Sequence, residues 1–489
     1  MRGLLRFPVP QIDASVTTPL PLPLCVDLDG TLVKSDTLVD SLLVLARSKP
    51  KLLLKLPALL LKGKAAFKAF VTDAVALDVA HLPFNRKLIQ YLQQQKTQGR
   101  AIYLTTGADQ RLARRVATHL NLFNGVLGSD GATNLIGNKK LNSLREHFAE
   151  GFAYIGNATP DLPLLAACGE PMVANPSLRL RLGMRARGIR PAQSFIERRT
   201  IPATLLKAMR LHQWAKNLLI FVPLMLSHDL RLAKALTALA AFLCFSLTAS
   251  SAYLVNDLLD IDADRRHPRK RLRPIASGDL PGVWGAVLAV LLLVVAFFGA
   301  GFLPGGFYGW LMLYLATTLS YSSILKRIAL VDVLVLSCLY ILRLLAGGAA
   351  TLTPISHWLS GFSLFLFLSL AIVKRFAELE NLRATGATPK NGRGYLLADQ
   401  QQLRSFGTAS AYAAVVVFAI YISGIDVIKL YRQPHLLWLI VPLMLLWLNR
   451  VWLLASRGEL DEDPVAFAIT DRVSLFIGLL VMVVALLAL

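Results

Sequence analysis

The apolar positions of this chain fall into two regimes. Up to about residue 210 they come in short runs broken by polar and turn residues, as in a soluble α/β protein. Beyond that point they lengthen into nine stretches with few charges, at 214–228, 234–255, 282–303, 306–324, 329–350, 357–373, 406–424, 434–454 and 472–489. Several of these match the roughly twenty apolar residues that a helix needs to cross a bilayer. The pattern predicts two domains. The first is an N-terminal α/β fold with a parallel sheet. The second is a C-terminal all-α polytopic membrane bundle of about nine transmembrane helices.

Within the first regime, an apolar strand ends at Asp27 in the run Leu24-Cys-Val-Asp-Leu-Asp-Gly-Thr31. A second, Ala101–Leu104, ends in Thr105-Thr106-Gly107, and a third, Phe152–Ile155, ends in Gly156-Asn157 with Asp161 close behind. Helical stretches separate them, so the strands should lie parallel with their ligands at the C-terminal ends. The boundaries expected are a tail at 1–21, the α/β domain at 22–195, a basic linker at 196–212 and the membrane domain at 213–489. Prolines 8, 10, 19, 21 and 23 interrupt any apolar core at the N-terminus, which does not read as a signal peptide.

Charge sharpens this picture. Hydrophobic residues make up 55% of the chain, yet its net charge is +22. So basic a protein has anionic partners, here lipid or phosphorylated substrates rather than nucleic acid, because the charges sit beside apolar spans. Part of the excess reads as the positive-inside rule. Basic residues crowd 256–280, Lys326–Arg327 and 374–405, whereas the loops near 303–306 and 351–358 carry neither Lys nor Arg. The α/β domain should therefore sit on the cytoplasmic side of the inner membrane, with Leu489 outside; Lys429 and Arg432 in an outer loop run against the rule. The four cysteines show no CxxC spacing, so neither a zinc site nor a disulfide framework is expected.

Asp27 and Asp29, two positions apart at a strand end, share a face, and Gly30 lets the chain turn. Paired carboxylates so placed suit Mg²⁺ and attack on phosphorus. This set resembles the haloacid dehalogenase (HAD) phosphatase superfamily over roughly 22–195. The resemblance implies that Asp27 is the nucleophile and Asp29 the acid/base. It further implies that Thr106 holds phosphate, that Lys140 (or Lys139) neutralises charge, and that Asp161 helps to hold Mg²⁺. Asn157 stands where that family commonly has an acid. The helical insert at 36–98 reads as a cap. Its basic, leucine-rich segment 51–62 suits either a cap that touches the membrane surface or an ordinary buried cap helix.

The second regime holds Asn256-Asp257-Leu-Leu-Asp260-Ile-Asp262-Ala-Asp264 directly after an apolar span. On one helix, Asp257, Asp260 and Asp264 would share a face, as would Asn256 and Asp260. Stacked acids repel unless a cation lies between them, and Mg²⁺ bridging to a diphosphate is the economical occupant. Arg265, Lys270 and Arg273 follow within one loop, supplying bases for phosphate. This region resembles the UbiA superfamily of intramembrane prenyltransferases. The resemblance rests on the NDxxDxxxD pattern, on Arg273-Pro-Ile-Ala-Ser-Gly278, and on His212-Gln-Trp with Lys216-Asn217. It implies a polar site at the cytoplasmic end of nine helices.

Aromatic-prenylating members carry a second acid pair, DxxxD. Here Asp332 stands alone, with Leu336 in place of the second acid, while Lys326, Arg327, Arg343, Lys374 and Arg375 supply cations. That balance, with Asp463-Pro464 and Asp471-Arg472, is similar to the polyprenyl-phosphate phosphoribosyltransferase branch. The resemblance implies phosphoribosyl pyrophosphate (PRPP) as donor, a polyprenyl monophosphate as acceptor, and Mg²⁺ on Asp257, Asp260 and Asp264. Arg343, Lys374 and Arg375 would hold the remaining phosphates. The expected outcome is 5-phosphoribose transfer followed by removal of its phosphate in the α/β domain. An aromatic prenyltransferase and a non-catalytic lipid-phosphate scaffold are the alternatives.

Overall fold

The computed structural model describes residues 21–197, 200–385, 394–424, 427, 430–460 and 464–489. Of the positions singled out in the sequence, Lys429 and Asp463 lie outside the described residues, as do residues 198 and 199 of the basic linker and nearly all of the N-terminal tail. The chain forms two compact units. One gathers Met1–Thr204 and Leu259–Val283; the other gathers Leu205–Leu258 and Trp284–Leu489.

The first unit is built on six parallel strands, β1 (Leu24–Val26), β2 (Ile102–Asp109), β3 (Gly125–Ser129), β4 (Ala153–Gly156), β5 (Glu170–Ala174) and β6 (Gln193–Phe195). Their order across the sheet is β3-β2-β1-β4-β5-β6. Strand β1 is apolar at every position because both faces are covered. Leu24 and Val26 enter one core with Leu104, Leu112 and Val116, while Cys25 enters the opposite core with Tyr154, Leu165 and Val173. The order reverses at β1, with β2 on one side and β4 on the other, and Val26 is in register with both Leu104 and Ile155. In open α/β sheets ligands gather outside the strand ends at such a reversal.

The insert after β1 starts with the helix Thr37–Ser48, capped by the Asp36 side chain, and continues through Leu56–Leu61 and Lys64–Ala74. It is shorter than the expected 36–98. The helix Arg86–Thr97 covers the sheet instead, burying Leu88 and Leu92 in its core. The segment Leu259–Val283, which the sequence assigns to the membrane domain, belongs to this first unit. Ion pairs hold it there: Arg265 with Asp40, Arg266 with Asp78, and Lys34 with Asp279.

The second unit is helical: α1 (Leu232–Leu259), α2 (Gly282–Ala300), α3 (Gly305–Ser323), α4 (Val331–Thr351), α5 (His357–Thr385), α6 (Gln400–Ile422), α7 (Ile440–Ser456) and α8 (Arg472–Ala488). Among the described residues six helices are long and apolar enough to cross a membrane, rather than nine. The expected first span, 214–228, is a tight 3₁₀ stretch, Leu211–Phe221, followed by the short helix Val222–Leu226. In α3, glycines, serines, threonines and tyrosines dilute the apolar residues, and α8 is shorter than the others. Helix packing is close. A Cβ on Gly347 of α4 would sit 2.2 Å from the carbonyl oxygen of Ile220, so only glycine admits that approach.

Candidate functional site

In the α/β unit the chain leaves β1 at Asp27, which is buried among charged partners. The Lys140 ammonium, carried by the helix Asn138–His147, donates to Asp27 Oδ1 at 2.7 Å and to the Tyr154 hydroxyl at 3.0 Å. Tyr154 donates in turn to Asp161 Oδ1 at 2.8 Å, and Thr31 Oγ1 lies 3.3 Å from Asp27 Oδ2. Lys140 is 3% exposed, whereas its neighbour Lys139 is exposed, so Lys140 is the lysine that faces the carboxylate. Asp29 is half-buried and accepts from the Thr37 backbone N–H at 2.8 Å.

Burial pushes the Asp27 carboxyl up to about 6 against the opposing pull of Lys140. Burial, with Asp36 nearby, pushes Asp29 up to about 8. For Lys140, burial alone would lower the pKa, but Asp27 and Asp161 raise it above the usual ammonium range. The site therefore holds one firmly charged lysine among carboxyl groups short of neutralising charge. Two hard carboxylates whose ionisation is resisted are the donor chemistry that suits Mg²⁺, which takes one or two carboxylates and completes its shell with water and substrate phosphate.

Of the other expected residues, Thr106 is placed differently, while Asp161 and Asn157 line the same cavity as Asp27. Thr106 is fully buried, and its Oγ1 accepts from the Ala108 N–H at 3.0 Å. Strand β2 runs past it to Asp109, and Gly107 and Ala108, not Thr106, line the cavity at the strand ends. Asp161 has both oxygens engaged, Oδ1 by Tyr154 and Oδ2 by the N–H groups of Asn157 and Ala158 at 3.0 Å each. Asn157 packs against the turn itself. Gly30 has a φ of +74°, and a Cβ there would fall 1.9 Å from Asn157 Nδ2.

The cavity over these groups measures about 360 Å³. Two further lysines line it, Lys34 and Lys68. Lys68, on the cap helix Lys64–Ala74, donates to the Gly107 carbonyl and to Asn134 Oδ1 at 2.8 Å. Nothing in local spacing marks Lys68 or Tyr154, since tertiary packing alone brings them to Asp27.

The aspartate run is not one helix. Helix α1 ends at Leu259, Asp260 adopts φ −94° and ψ 9°, and a new short helix, Ile261–Arg266, follows. The single face expected of Asp257, Asp260 and Asp264 is therefore interrupted. Each carboxylate has its own guanidinium instead: Asp257 with Arg210, Asp260 with Arg47, and Asp264 with Arg273 at 2.7 Å. Among the described residues no three His, Cys, Asp or Glu side chains come together closely enough to hold a metal ion. Opposite charge from arginine has taken up the repulsion that the sequence pattern assigned to a cation. Arg265, expected to face phosphate, is buried against Asp40 and Ser35, while Lys270 is exposed.

In the helical unit, Asn256 accepts from Lys326 at 3.4 Å. Arg343 of α4 is 5% exposed, and three rings (Phe245, Tyr314 and Tyr340) lie 5.0–5.7 Å from its guanidinium. Its Nε donates to Asn217 Oδ1 at 2.8 Å, and Asn217 Nδ2 donates to Ser246 Oγ at 2.9 Å. The motif residue Asn217 thus orients the buried arginine. Arg375 is bound elsewhere: Nε to Asp332 at 2.5 Å, NH1 to both oxygens of Glu378 at 2.7 Å, and NH2 to the Tyr321 hydroxyl at 3.1 Å. Tyr395 donates to the other oxygen of Asp332. Lys216 and Lys374 are half-buried. Asp471 caps α8 and pairs with Arg450 at 2.6 Å.

Comparison with known proteins adds to this geometry. Residues 218–480 match the model of the UbiA prenyltransferase family. "Uncharacterized protein y4nM" of Sinorhizobium fredii is 36% identical over 466 residues, covering 94% of this chain and 90% of its own. Decaprenyl-phosphate phosphoribosyltransferase of Mycobacterium tuberculosis is 39% identical over 225 residues, 45% of this chain and 74% of that one. A solved UbiA homolog from Archaeoglobus fulgidus, bound to GPP and Mg²⁺, aligns with 57% of this chain and 96% of its own at 15% identity and a TM-score of 0.44. The family match spans more than half of the sequence, and the chain belongs to the UbiA prenyltransferase family.

Proposed function

We propose that the helical unit transfers 5-phosphoribose from PRPP to a polyprenyl phosphate, releasing pyrophosphate, and that the α/β unit then removes the 5-phosphate from the product. The observation that carries the first half is the state of Asp332. It is the lone acid where a second metal-binding pair would stand, it is fully buried, and Arg375 and Tyr395 already occupy its oxygens. A prenyl diphosphate site built on two metals has no second pair of ligands there. The 39% identity to decaprenyl-phosphate phosphoribosyltransferase supports the same reading.

In the transfer, the C1–oxygen bond to pyrophosphate breaks as an oxygen of the acceptor phosphate bonds to C1. The acceptor is already ionised, so positioning and charge neutralisation dominate. Asp257, Asp260 and Asp264 would hold Mg²⁺ only by giving up their arginine partners, and the ion would then supply charge for the departing pyrophosphate. Arg343, oriented by Asn217, is the side chain we assign to an anionic group of the substrates, with Lys216, Lys326 and Lys374 contributing charge. The α/β unit reads as a HAD-type phosphatase. Asp27 attacks the phosphorus, the ester P–O bond breaks, and Asp29 gives its proton to the leaving oxygen. Water then displaces phosphate from Asp27 while Asp29 takes the water's proton. The raised pKa of Asp29 suits a group that must hold a proton near neutrality. Asp27 would also hold Mg²⁺. The basic loops support a position for this unit on the cytoplasmic side of the inner membrane.

Membranes containing the chain should be incubated with labelled PRPP and, separately, with labelled prenyl diphosphate, each followed by lipid extraction. Label entering lipid from PRPP supports the proposal. Transfer from prenyl diphosphate to an aromatic acceptor would replace it with the family's other chemistry, and no transfer from either would leave a lipid-phosphate binder. With Asp27→Asn, pyrophosphate release should persist while phosphorylated lipid accumulates.

A further inference from the structure

The tip of the α/β unit's insert carries an apolar surface that its own fold does not cover. Leu54, Leu60 and Leu61 are 85%, 53% and 91% exposed. Neither the 3₁₀ stretch Pro50–Lys55 nor the helix Leu56–Leu61 buries a single residue. The next helix, Lys64–Ala74, buries Ala65, Phe67 and Val71 in the ordinary way. A six-residue helix with no buried face has almost nothing to stabilise it in water. Around the leucines stand Lys51, Lys55, Lys62 and Lys64, all exposed, and no acid occurs between Lys49 and Thr72.

We propose that this tip dips into the surface of an anionic bilayer, leucines among the acyl chains and lysines at the headgroups. Charge decides the occupant. A second copy of the tip would bring the same lysines and be repelled. An anionic leaflet attracts each lysine near its surface, and burial of the leucines adds to that. A chain with six helices able to span a bilayer always has one at hand.

The placement bears on the substrate. The helix that follows the tip, Lys64–Ala74, also carries Lys68, which lines the cavity over Asp27 and binds the backbone at Gly107. One rigid element thus joins the lipid-seeking tip to the wall of the phosphate site. Resting on the phosphatase reading of this unit, the inference is that its substrate is a membrane-borne phosphomonoester, taken at the lipid surface.

The test uses the full chain in vesicles of phosphatidylcholine and phosphatidylglycerol. The photo-crosslinker benzoylphenylalanine replaces Leu61, or Gln93 on the exposed side of Arg86–Thr97 as a control. Lipid adducts at position 61 well above those at 93 support the proposal; equal labelling, or adducts mainly between two copies of the chain, overturns it. This readout needs no enzymatic activity. In a second arm, Leu60→Asp with Leu61→Asp should lower hydrolysis of phosphatidic acid in the vesicles by about tenfold, a modest share of what burying two leucines is worth. Hydrolysis of soluble para-nitrophenyl phosphate should be unchanged. Equal loss on both substrates overturns the substrate assignment. If the unaltered chain hydrolyses neither, the phosphatase reading fails while the crosslinks still decide where the tip lies.

Discussion

The Arg265 guanidinium lies 2.8 Å from the Asp40 carboxylate, and both side chains are almost completely buried. Ser35 completes the set, donating to Asp40 at 2.6 Å and accepting from Arg265 at 3.1 Å. Removing one partner of such a pair leaves a charge stranded away from water. Asp40→Ala should therefore destabilise the α/β unit by about 3–5 kcal/mol, whereas a partner on the surface would cost under 1. Thermal unfolding of the full chain in detergent, followed by proteolysis of the α/β segments, measures this. A loss within the surface range would show that the pair is not closed in solution.

Lys140 and Lys139 are adjacent in sequence and opposite in placement. Only Lys140 reaches Asp27. Lys140→Ala should lower phosphomonoester hydrolysis by about a hundredfold or more, the scale of losing one preorganised charge contact at the reacting group. Lys139→Ala should leave hydrolysis unchanged. Steady-state phosphate release from both variants separates the two, and comparable loss in both would remove Lys140 from its assigned role.

These two cases show what was legible in the sequence. The strand ends next to Asp27 and Ile155 could be read from apolar runs, because a parallel sheet covered on both faces needs continuous hydrophobic strands, whereas β2 runs on past Leu104 to Asp109. The long apolar helices were legible for the same reason. Hidden from the sequence was which charges would pair. Arg265 reads as a phosphate ligand because it follows acids in one loop, yet its partner Asp40 lies in a different segment. The aspartate run likewise scores as one helical face until the chain kinks at Asp260, a departure that local periodicity cannot register.

Asp29 predicts a pH dependence. In the folded, metal-free chain burial pushes its carboxyl up to about 8, whereas an unfolded chain has it near 3.9. Between these values the folded state holds more protons than the unfolded state, so stability falls as pH rises. The contribution is fully present below about 4 and lost as pH climbs through about 8. Protection of β1 from thermal proteolysis in EDTA should therefore be greater at pH 5 than at pH 8.5, and Asp29→Asn should flatten the difference. Protection that rises with pH in EDTA would contradict the assignment.

The Arg375–Asp332 pair separates a structural arginine from a substrate-binding one. Arg375 directs Nε, NH1 and NH2 at Asp332, Glu378 and Tyr321, so its charge is spent within the protein. Arg343 is different: rings flank its guanidinium, and its three nitrogens donate to neutral groups, Asn217, the Leu339 carbonyl and the Tyr314 hydroxyl, so its positive charge has no carboxylate in those contacts. Arg375→Gln should strand Asp332 and destabilise the helical unit by about 3–5 kcal/mol, and adding Asp332→Asn should restore much of that loss. Arg343→Lys, which keeps the charge but loses the planar fork, should instead destabilise by clearly less, since it strands no carboxylate, while lowering transfer from PRPP. Unfolding midpoints in detergent and label transfer to lipid, measured on the same preparations, give both coordinates. If Arg343→Lys destabilises as Arg375→Gln does, the two arginines do the same structural work, and the anion-binding assignment of Arg343 falls.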